Sequence, residues 1–182
     1  MDVISIPYSK EEISRIIGKK GKNKNILEKK IKIKIKISDG YITIDKTKSD
    51  VNDFELQNIF DAIAMGFNVN DALLLKNPNY IFERINLKLL RPTRRRVIKA
   101  RIIGKEGKIR KLIEELTDCK IKIYGNYIAL IGEIENIEIA KRAIEMLIQG
   151  KSHTAMQKWL EHAKTKIEDL KELTEKQLKE IE

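Results

Sequence analysis

Strict alternation and helical spacing follow one another along the chain, and they do so twice. Ile31-Lys32-Ile33-Lys34-Ile35-Lys36-Ile37 puts every isoleucine on one side of an extended segment, the pattern of a strand with one buried face. Ser38-Asp39-Gly40 supplies a hairpin turn, and Tyr41-Ile42-Thr43-Ile44-Asp45 is the returning strand. Ahead of this hairpin, Val3-Ile4-Ser5-Ile6 reads as a short strand ended by Pro7. Ser9 caps a helix over residues 10–17, with Glu12 placed for a capping box, and a second helix over about 22–30 follows the break at Gly18. Phe54, Ile59, Ile63 and Phe67 then mark one face of a third helix. The predicted order is strand, helix, helix, strand, strand, helix.

The same order returns further on. Residues 85–90 form the strand, Thr93 caps a helix ending near Ile103, and residues 108–117 form the second helix. Residues 119–124 and 127–131 make a hairpin around Gly125-Asn126, and a last helix covers 137–148. The two halves share a block: Arg15-Ile16-Ile17-Gly18-Lys19-Lys20-Gly21-Lys22 and Arg101-Ile102-Ile103-Gly104-Lys105-Glu106-Gly107-Lys108 agree at seven of eight positions, 86 residues apart. That period is too long for a solenoid and suits a duplicated domain, with the first copy at 1–77 and the second at 78–150. Residues 151–182 carry no strand signal. Met156, Trp159, Leu160, Ala163, Ile167, Leu170 and Leu173 fall at helical spacing, so this extension reads as one long amphipathic helix or two. It either packs on the second domain through Trp159 or presents its apolar stripe to a partner.

Composition narrows the function. Of 182 residues 42% are hydrophobic, enough for packed cores, and no apolar stretch approaches the roughly 20 residues that cross a bilayer. The first residues lack the basic and long apolar segments of a signal peptide. One cysteine, Cys119, cannot form an internal disulfide or a Cys-rich zinc site. These features exclude a membrane protein and a disulfide scaffold, and predict a cytoplasmic chain. Lys and Arg number 37 against 27 Asp and Glu, a net charge of +10. A heat-adapted composition accounts for many charges of both signs, but not for their clustering. Residues 10–36 hold 11 basic against 3 acidic side chains, and residues 91–111 hold 10 against 1. Clusters of this kind point to a polyanion.

The glycine pairs give that polyanion a docking point. Amides at a helix start attract phosphate, and a nucleic-acid backbone comes close only where no Cβ intervenes. Lys19, Lys20 and Lys22 in the first copy, and Lys105 and Lys108 in the second, add mobile positive charge. The Ile-Ile pairs ending in Ile17 and Ile103 supply an aliphatic wall, while Ile33, Ile35, Ile121 and Ile123 sit mainly in the core. An apolar floor suits splayed bases of a single strand.

Ile-Ile-Gly-Lys-x-Gly-Lys, present twice in this strand and helix order, resembles the KH domain of type I. The resemblance implies an α+β fold, two type I KH domains plus a C-terminal helical tail, binding single-stranded RNA with about four nucleotides per module. It places RNA on Ile17, Gly18, Lys19, Lys20, Gly21 and Lys22, and on Ile103, Gly104, Lys105, Glu106, Gly107, Lys108 and Arg110. Glu106 dilutes the charge of the second loop, so backbone amides carry more of the contact there. Arg94-Arg95-Arg96 opens a helix, where cations do not stabilise, and with Arg91, Lys99 and Arg101 reads as a contact to the RNA backbone. Lys32, Lys34 and Lys36 read as solvent-facing or edge-protecting.

Gly66-Phe67 with Asp71-Ala72-Leu73-Leu74-Leu75, and Gly150-Lys151-Ser152-His153 leading into Met156, resemble the ribosome-biogenesis branch of KH proteins, which includes archaeal Dim-two-like proteins and eukaryotic partner-of-Nob and Krr proteins. That narrower resemblance implies binding the 3′ region of 16S rRNA or its precursor during small-subunit maturation. It also implies partnership with a Nob-type endonuclease and with the alpha subunit of archaeal initiation factor two. The alternative is a KH adaptor in RNA turnover or translation initiation, acting mainly through proteins.

Catalysis finds no support in the sequence. His153 and His162, nine residues apart, point to opposite sides of a helix and make no metal pair; His153 reads as a cap or packing residue holding the tail. Glu114 and Glu115, adjacent on a helix, do not face one another. Gly18 to Gly21 lacks the Walker spacing. No cofactor, metal site or catalytic residue is predicted, and Cys119 reads as a small core residue.

Overall fold

A computed structural model describes residues 3–179, with side chains described through Lys166 and at Asp169. Two units of like topology follow one another. The first runs β1 (Val3–Pro7), α1 (Lys10–Ile17), α2 (Lys22–Lys30), β2 (Lys34–Ser38), β3 (Tyr41–Asp45) and α3 (Asp53–Ala64). Next come α4 (Val69–Leu73) and a 3-10 turn, Leu74–Lys76. The second unit runs β4 (Tyr80–Asn86), α5 (Pro92–Ile103), α6 (Lys108–Thr117), β5 (Lys120–Tyr124), β6 (Tyr127–Glu133) and α7 (Ile134–Ile148), and α8 (His153–Lys179) follows it. Each unit has a three-stranded antiparallel sheet, ordered β1-β3-β2 and β4-β6-β5, so the two hairpin strands lie side by side and the first strand pairs with the second of them.

Local chemistry explains most of these elements. Ser9 and Glu12 form the capping box of α1, each side chain meeting the other's backbone amide. Asn52 and Glu55 do the same for α3. The alternating isoleucines follow the predicted pattern except at the hairpin end: Ile33, Ile35, Ile42 and Ile44 are buried and Lys34 and Lys36 exposed, but Ile37 is 43% exposed. The strand starts later than the alternation, at Lys34, because Lys32 turns the chain at φ 53. Glu28 on α2 accepts the Ile35 amide at 2.8 Å, and Glu114 on α6 accepts the Ile121 amide at 2.8 Å. In both units a carboxylate from the second helix therefore ties down an edge-strand amide.

Several sequence expectations are corrected. The strand predicted over 85–90 lies at Tyr80–Asn86, and Leu87 to Leu90 form a turn closed by the Leu90 amide on the Leu87 carbonyl at 3.0 Å. Thr93 does not cap α5: Arg91 is the N-cap and Pro92 takes the first helical position, where its missing N–H costs nothing. Phe54 is 76% exposed in the first turn of α3 and off its buried face, and Phe67 packs after the helix has ended. The last helix of the second unit starts at Ile134 rather than 137. Helix α4 is an element that the spacing does not predict; Asn68 caps it by accepting the Asp71 amide at 2.8 Å.

The second sheet is covered on both sides. Its inner face meets α5, α6 and α7, while Ala129 and Ile131 on the other face belong to the core of the first unit. Phe82 meets Phe67 edge to face with centroids 6.2 Å apart. Arg84 reaches Asp61 at 3.4 Å, and the Tyr8 hydroxyl donates to the same carboxylate at 2.7 Å. Arg15 of α1 stacks over the Tyr124 ring at 4.4 Å. The first part of α8 seals the second core through Met156 and Leu160, both buried, with Trp159 partly buried beside them. Ile167, Leu170 and Leu173 lie outside the described side chains. Among the described residues no helix is long and apolar enough to cross a membrane.

Cys119 is fully buried, and burial pushes its thiol up to about 11. A Cβ at Gly132 would stand 2.6 Å from Cys119 Sγ. Gly132→Ala is therefore expected to cost about 1–3 kcal/mol in denaturant unfolding. Adding Cys119→Ala in the same chain should recover part of that loss; independent, additive losses would contradict the contact.

Candidate nucleic-acid interface

The paired-glycine corners have one backbone in two places. Helix α1 ends at Gly18, with φ 70 and ψ 172, and α5 ends at Gly104, with φ 70 and ψ −178. A single 3-10 turn follows, in which Lys20 and Glu106 both sit at φ 54. Gly21 and Gly107, each at φ 77 and ψ 11, then open α2 and α6.

The two glycines of each pair serve different needs. The first occupies a backbone region open essentially to glycine alone. A Cβ on Gly18 would stand 2.6 Å from Asn23 Cγ, and one on Gly104 would stand 2.9 Å from Ile109 Cβ. Its purpose is the close crossing of two helices, which Asn23 reinforces by donating to the Arg15 carbonyl at 2.8 Å. The second glycine is left-handed and faces open space: nothing would meet a Cβ within 4 Å at Gly21, and only the Arg110 guanidinium, at 3.9 Å, would at Gly107. The absence of a Cβ thus leaves room for a ligand at the second glycine, not at both. The turn also uses its own amides: Gly21 donates to the Gly18 carbonyl at 3.1 Å, Gly107 to the Gly104 carbonyl at 3.3 Å, and Lys22 and Lys108 donate to the Lys19 and Lys105 carbonyls.

Side chains around the corners divide in the same way. Lys19, Lys20 and Lys22, and Lys105, Glu106 and Lys108, are all exposed. Of each isoleucine pair only the second is accessible: Ile16 and Ile102 are fully buried, Ile17 is half-buried and Ile103 is 38% exposed. The expected aliphatic wall is therefore one side chain wide.

Helix α5 is 12 residues long where α1 has 8, and the added turn at its start, residues 92–95, carries Arg94 and Arg95. Helical spacing sorts the predicted basic cluster onto two faces. Pro92, Arg95, Arg96, Lys99, Ala100 and Ile103 line a groove of about 430 Å³ that is closed on the far side by Asn126 in the β5–β6 turn. Lys99 Nζ donates to the Gly125 carbonyl and holds that turn against the helix. The groove runs the length of α5 to the residue before Gly104.

Arg94 and Arg101 are not part of it; they line a second groove of about 400 Å³ against the end of α7, with Val97, Ile98 and Ile148. Arg101 donates to the Leu147 carbonyl at 3.0 Å and to the Lys151 carbonyl, and the Arg101 carbonyl accepts from His153 Nε2 at 2.9 Å. Arg15, its counterpart, donates to the Ala64 carbonyl at 2.8 Å at the end of α3. The repeated arginine is a clamp on the carbonyl end of the third helix. Arg94 Nη2 lies 3.5 Å from the Ile148 carbonyl. Arg110 lies against Glu114, with Nε buried 3.5 Å from a carboxylate oxygen, so its charge is partly met within α6.

Residues 81–165 match the family model of the second KH domain of PNO1, described as a eukaryotic-type KH domain (KH-domain type I). The match runs past α7 into α8, so the start of the tail belongs to the matched unit. Over 173 residues the chain is 39% identical to a KH domain-containing protein of Methanocaldococcus jannaschii, covering 92% of this chain and 75% of that one. It is 30% identical over 130 residues to the pre-rRNA-processing protein PNO1 of Chaetomium thermophilum, covering 66% of this chain and 50% of that protein. The chain thus spans about half the length of that PNO1 protein. Among solved structures, the aDim2p-containing complex with a/eIF2alpha and rRNA from Pyrococcus horikoshii OT3 is similar at a TM-score of 0.79 and 35% identity, covering 90% of this chain and 94% of that one.

The division of labour within a glycine pair is open to measurement. Gly104→Ala is expected to lower stability by about 1–3 kcal/mol from backbone strain alone. Gly107→Asn should be nearly neutral in thermal unfolding, because asparagine accepts the left-handed region. Equal losses for the two variants would contradict it.

Proposed function

The chain belongs to the PNO1/Dim2 family of KH-domain proteins, and on that premise we propose that it is a non-catalytic, cytoplasmic, single-stranded RNA-binding protein built from two type I KH modules. The modules are residues 1–77 and 78–150, with 151–182 as a helical extension. The proposed ligand is the 3′ region of 16S rRNA or its precursor in maturation of the small ribosomal subunit. The proposed protein partners are the alpha subunit of archaeal initiation factor two, whose relative is named in the Pyrococcus complex, and a Nob-type endonuclease.

The observation that carries this reading is the pair of glycine corners with the same dihedral angles, each opening beside exposed lysines. RNA phosphates meet the backbone of the two residues between the glycines and the lysines around them. In the second module the strand continues along α5, where Arg95 and Arg96 line the phosphate side and Ala100 and Ile103 form the floor under the bases. Arg94 and Arg101 do not take part directly, and Lys99 acts by holding the facing turn. A ribonuclease activity in a purified complex belongs to the partner.

Replacing Lys105-Glu106 by Asp-Asp is expected to weaken single-stranded RNA binding and to lower the salt slope by about 0.7 for each phosphate that is no longer neutralised. The same change at Lys19-Lys20 should weaken it less, because the first module lacks the basic turn that lengthens α5. Affinity unchanged in both variants would overturn the assignment. Sequencing of RNA crosslinked to the protein in its own cells should return the 3′ end of small-subunit rRNA; enrichment of unrelated transcripts would sink the ribosomal part alone.

A further inference from the structure

The outer faces of the two sheets have opposite fates. In the second sheet the face turned away from its own helices carries Phe82, Ala129 and Ile131, and the first unit covers it. At matching register in the first sheet stand Val3, Thr43 and Asp45. An apolar docking face has become a polar one, so a further unit cannot seal it in the way that the first unit seals the second.

That face is laid out in three rows across the strands: Pro7, Tyr41 and Ser38; Ser5, Thr43 and Lys36; Val3, Asp45 and Lys34. None of the nine is buried. Tyr41 is 50% exposed at one end. Ser5 Oγ and Thr43 Oγ1 lie 3.0 Å apart in the middle, a pair of hydroxyls able to donate and accept. Lys36 and Lys34 follow along the edge strand. Asp45, the single acid in the three rows, accepts from the Thr47 amide at 3.1 Å and the Thr47 hydroxyl at 2.5 Å, and stands directly across from Lys34.

We propose that this outer face of the β1-β3-β2 sheet is a second binding surface for single-stranded RNA, separate from the glycine corners, on which a base stacks on Tyr41 and the backbone pairs with Lys34 and Lys36. The inference rests on the RNA-binding reading and extends it. An aromatic ring on an open sheet, next to hydroxyls and lysines, is a platform that accepts any base. A protein partner is disfavoured by the same residues, since Val3 and Tyr41 stand at opposite ends and polar side chains separate them. The route is short: β2 is the edge strand, and α2, which begins just after Gly21, lies against it through Glu28. A strand leaving the first corner passes exposed Lys29 and Lys30 at the end of α2 and crosses this edge to reach Lys34 and Lys36.

The test uses the full chain and two labelled RNAs of mixed sequence. One, of about 8 nucleotides, fills two KH grooves; the other, of about 24, extends well beyond them. Tyr41→Ala and the double variant Lys34→Glu/Lys36→Glu are each expected to weaken binding of the long RNA about 5- to 100-fold. Both should leave the short RNA within about 2-fold, which also shows that the fold is intact. Tyr41→Phe should keep the long-RNA affinity. Unchanged binding of the long RNA by both variants would overturn the inference and leave the glycine corners untouched. So would equal weakening of both RNAs, or loss of a protein partner with RNA binding intact. Failure of the unaltered chain to bind either RNA would remove the underlying reading as well.

Discussion

Everything at the proposed RNA interface depends on a backbone corner that only glycine turns. At Gly18 and Gly104 the chain leaves a helix with positive φ and extended ψ, and the following helix returns so close that residue 23 or 109 fills the space of a Cβ. A side chain there would force the helices apart. Because the first glycine absorbs the packing constraint, the second is free to face open space, and the two residues between them are pushed outward with their charges. The arginine three residues before each first glycine fixes the corner from behind by clamping the carbonyl end of the third helix.

Each clamping arginine makes a further contact. In the first unit Arg15 also lies over Tyr124, beside the turn that Lys99 holds against α5. In the second, Arg101 joins α7, the Gly150 turn and His153 at the start of α8. The helix bearing one glycine corner therefore touches the hairpin that closes the groove of the other. Burial of Ala129, Ile131 and Phe82 against the first unit completes the junction.

Much of this is legible in the sequence, and what is not has physical causes. The repeat, the element order, both hairpins, the Ser9 capping box and the tail contact of His153 follow from spacing and turn chemistry. The clamping role of Arg15 and Arg101 does not, because only the folded chain brings the α3 and α7 carbonyls within their reach. Arg94 parts from Arg95 and Arg96 for a reason the sequence does hold, since neighbouring helical residues point about 100° apart. The start of β4 is hard to place because Tyr80 to Ile85 carries apolar residues for two faces, one of them buried by the other unit. The unbroken apolar run of β6 signals the same double burial and contrasts with the alternation of β3.

The most direct test is to follow backbone amide resonances by NMR while single-stranded RNA is added to the intact chain. The largest shifts are expected at Lys19 to Lys22 and Lys105 to Lys108, followed by residues along the Arg95–Ile103 face of α5. Saturable RNA binding that leaves both glycine corners unshifted would contradict the account.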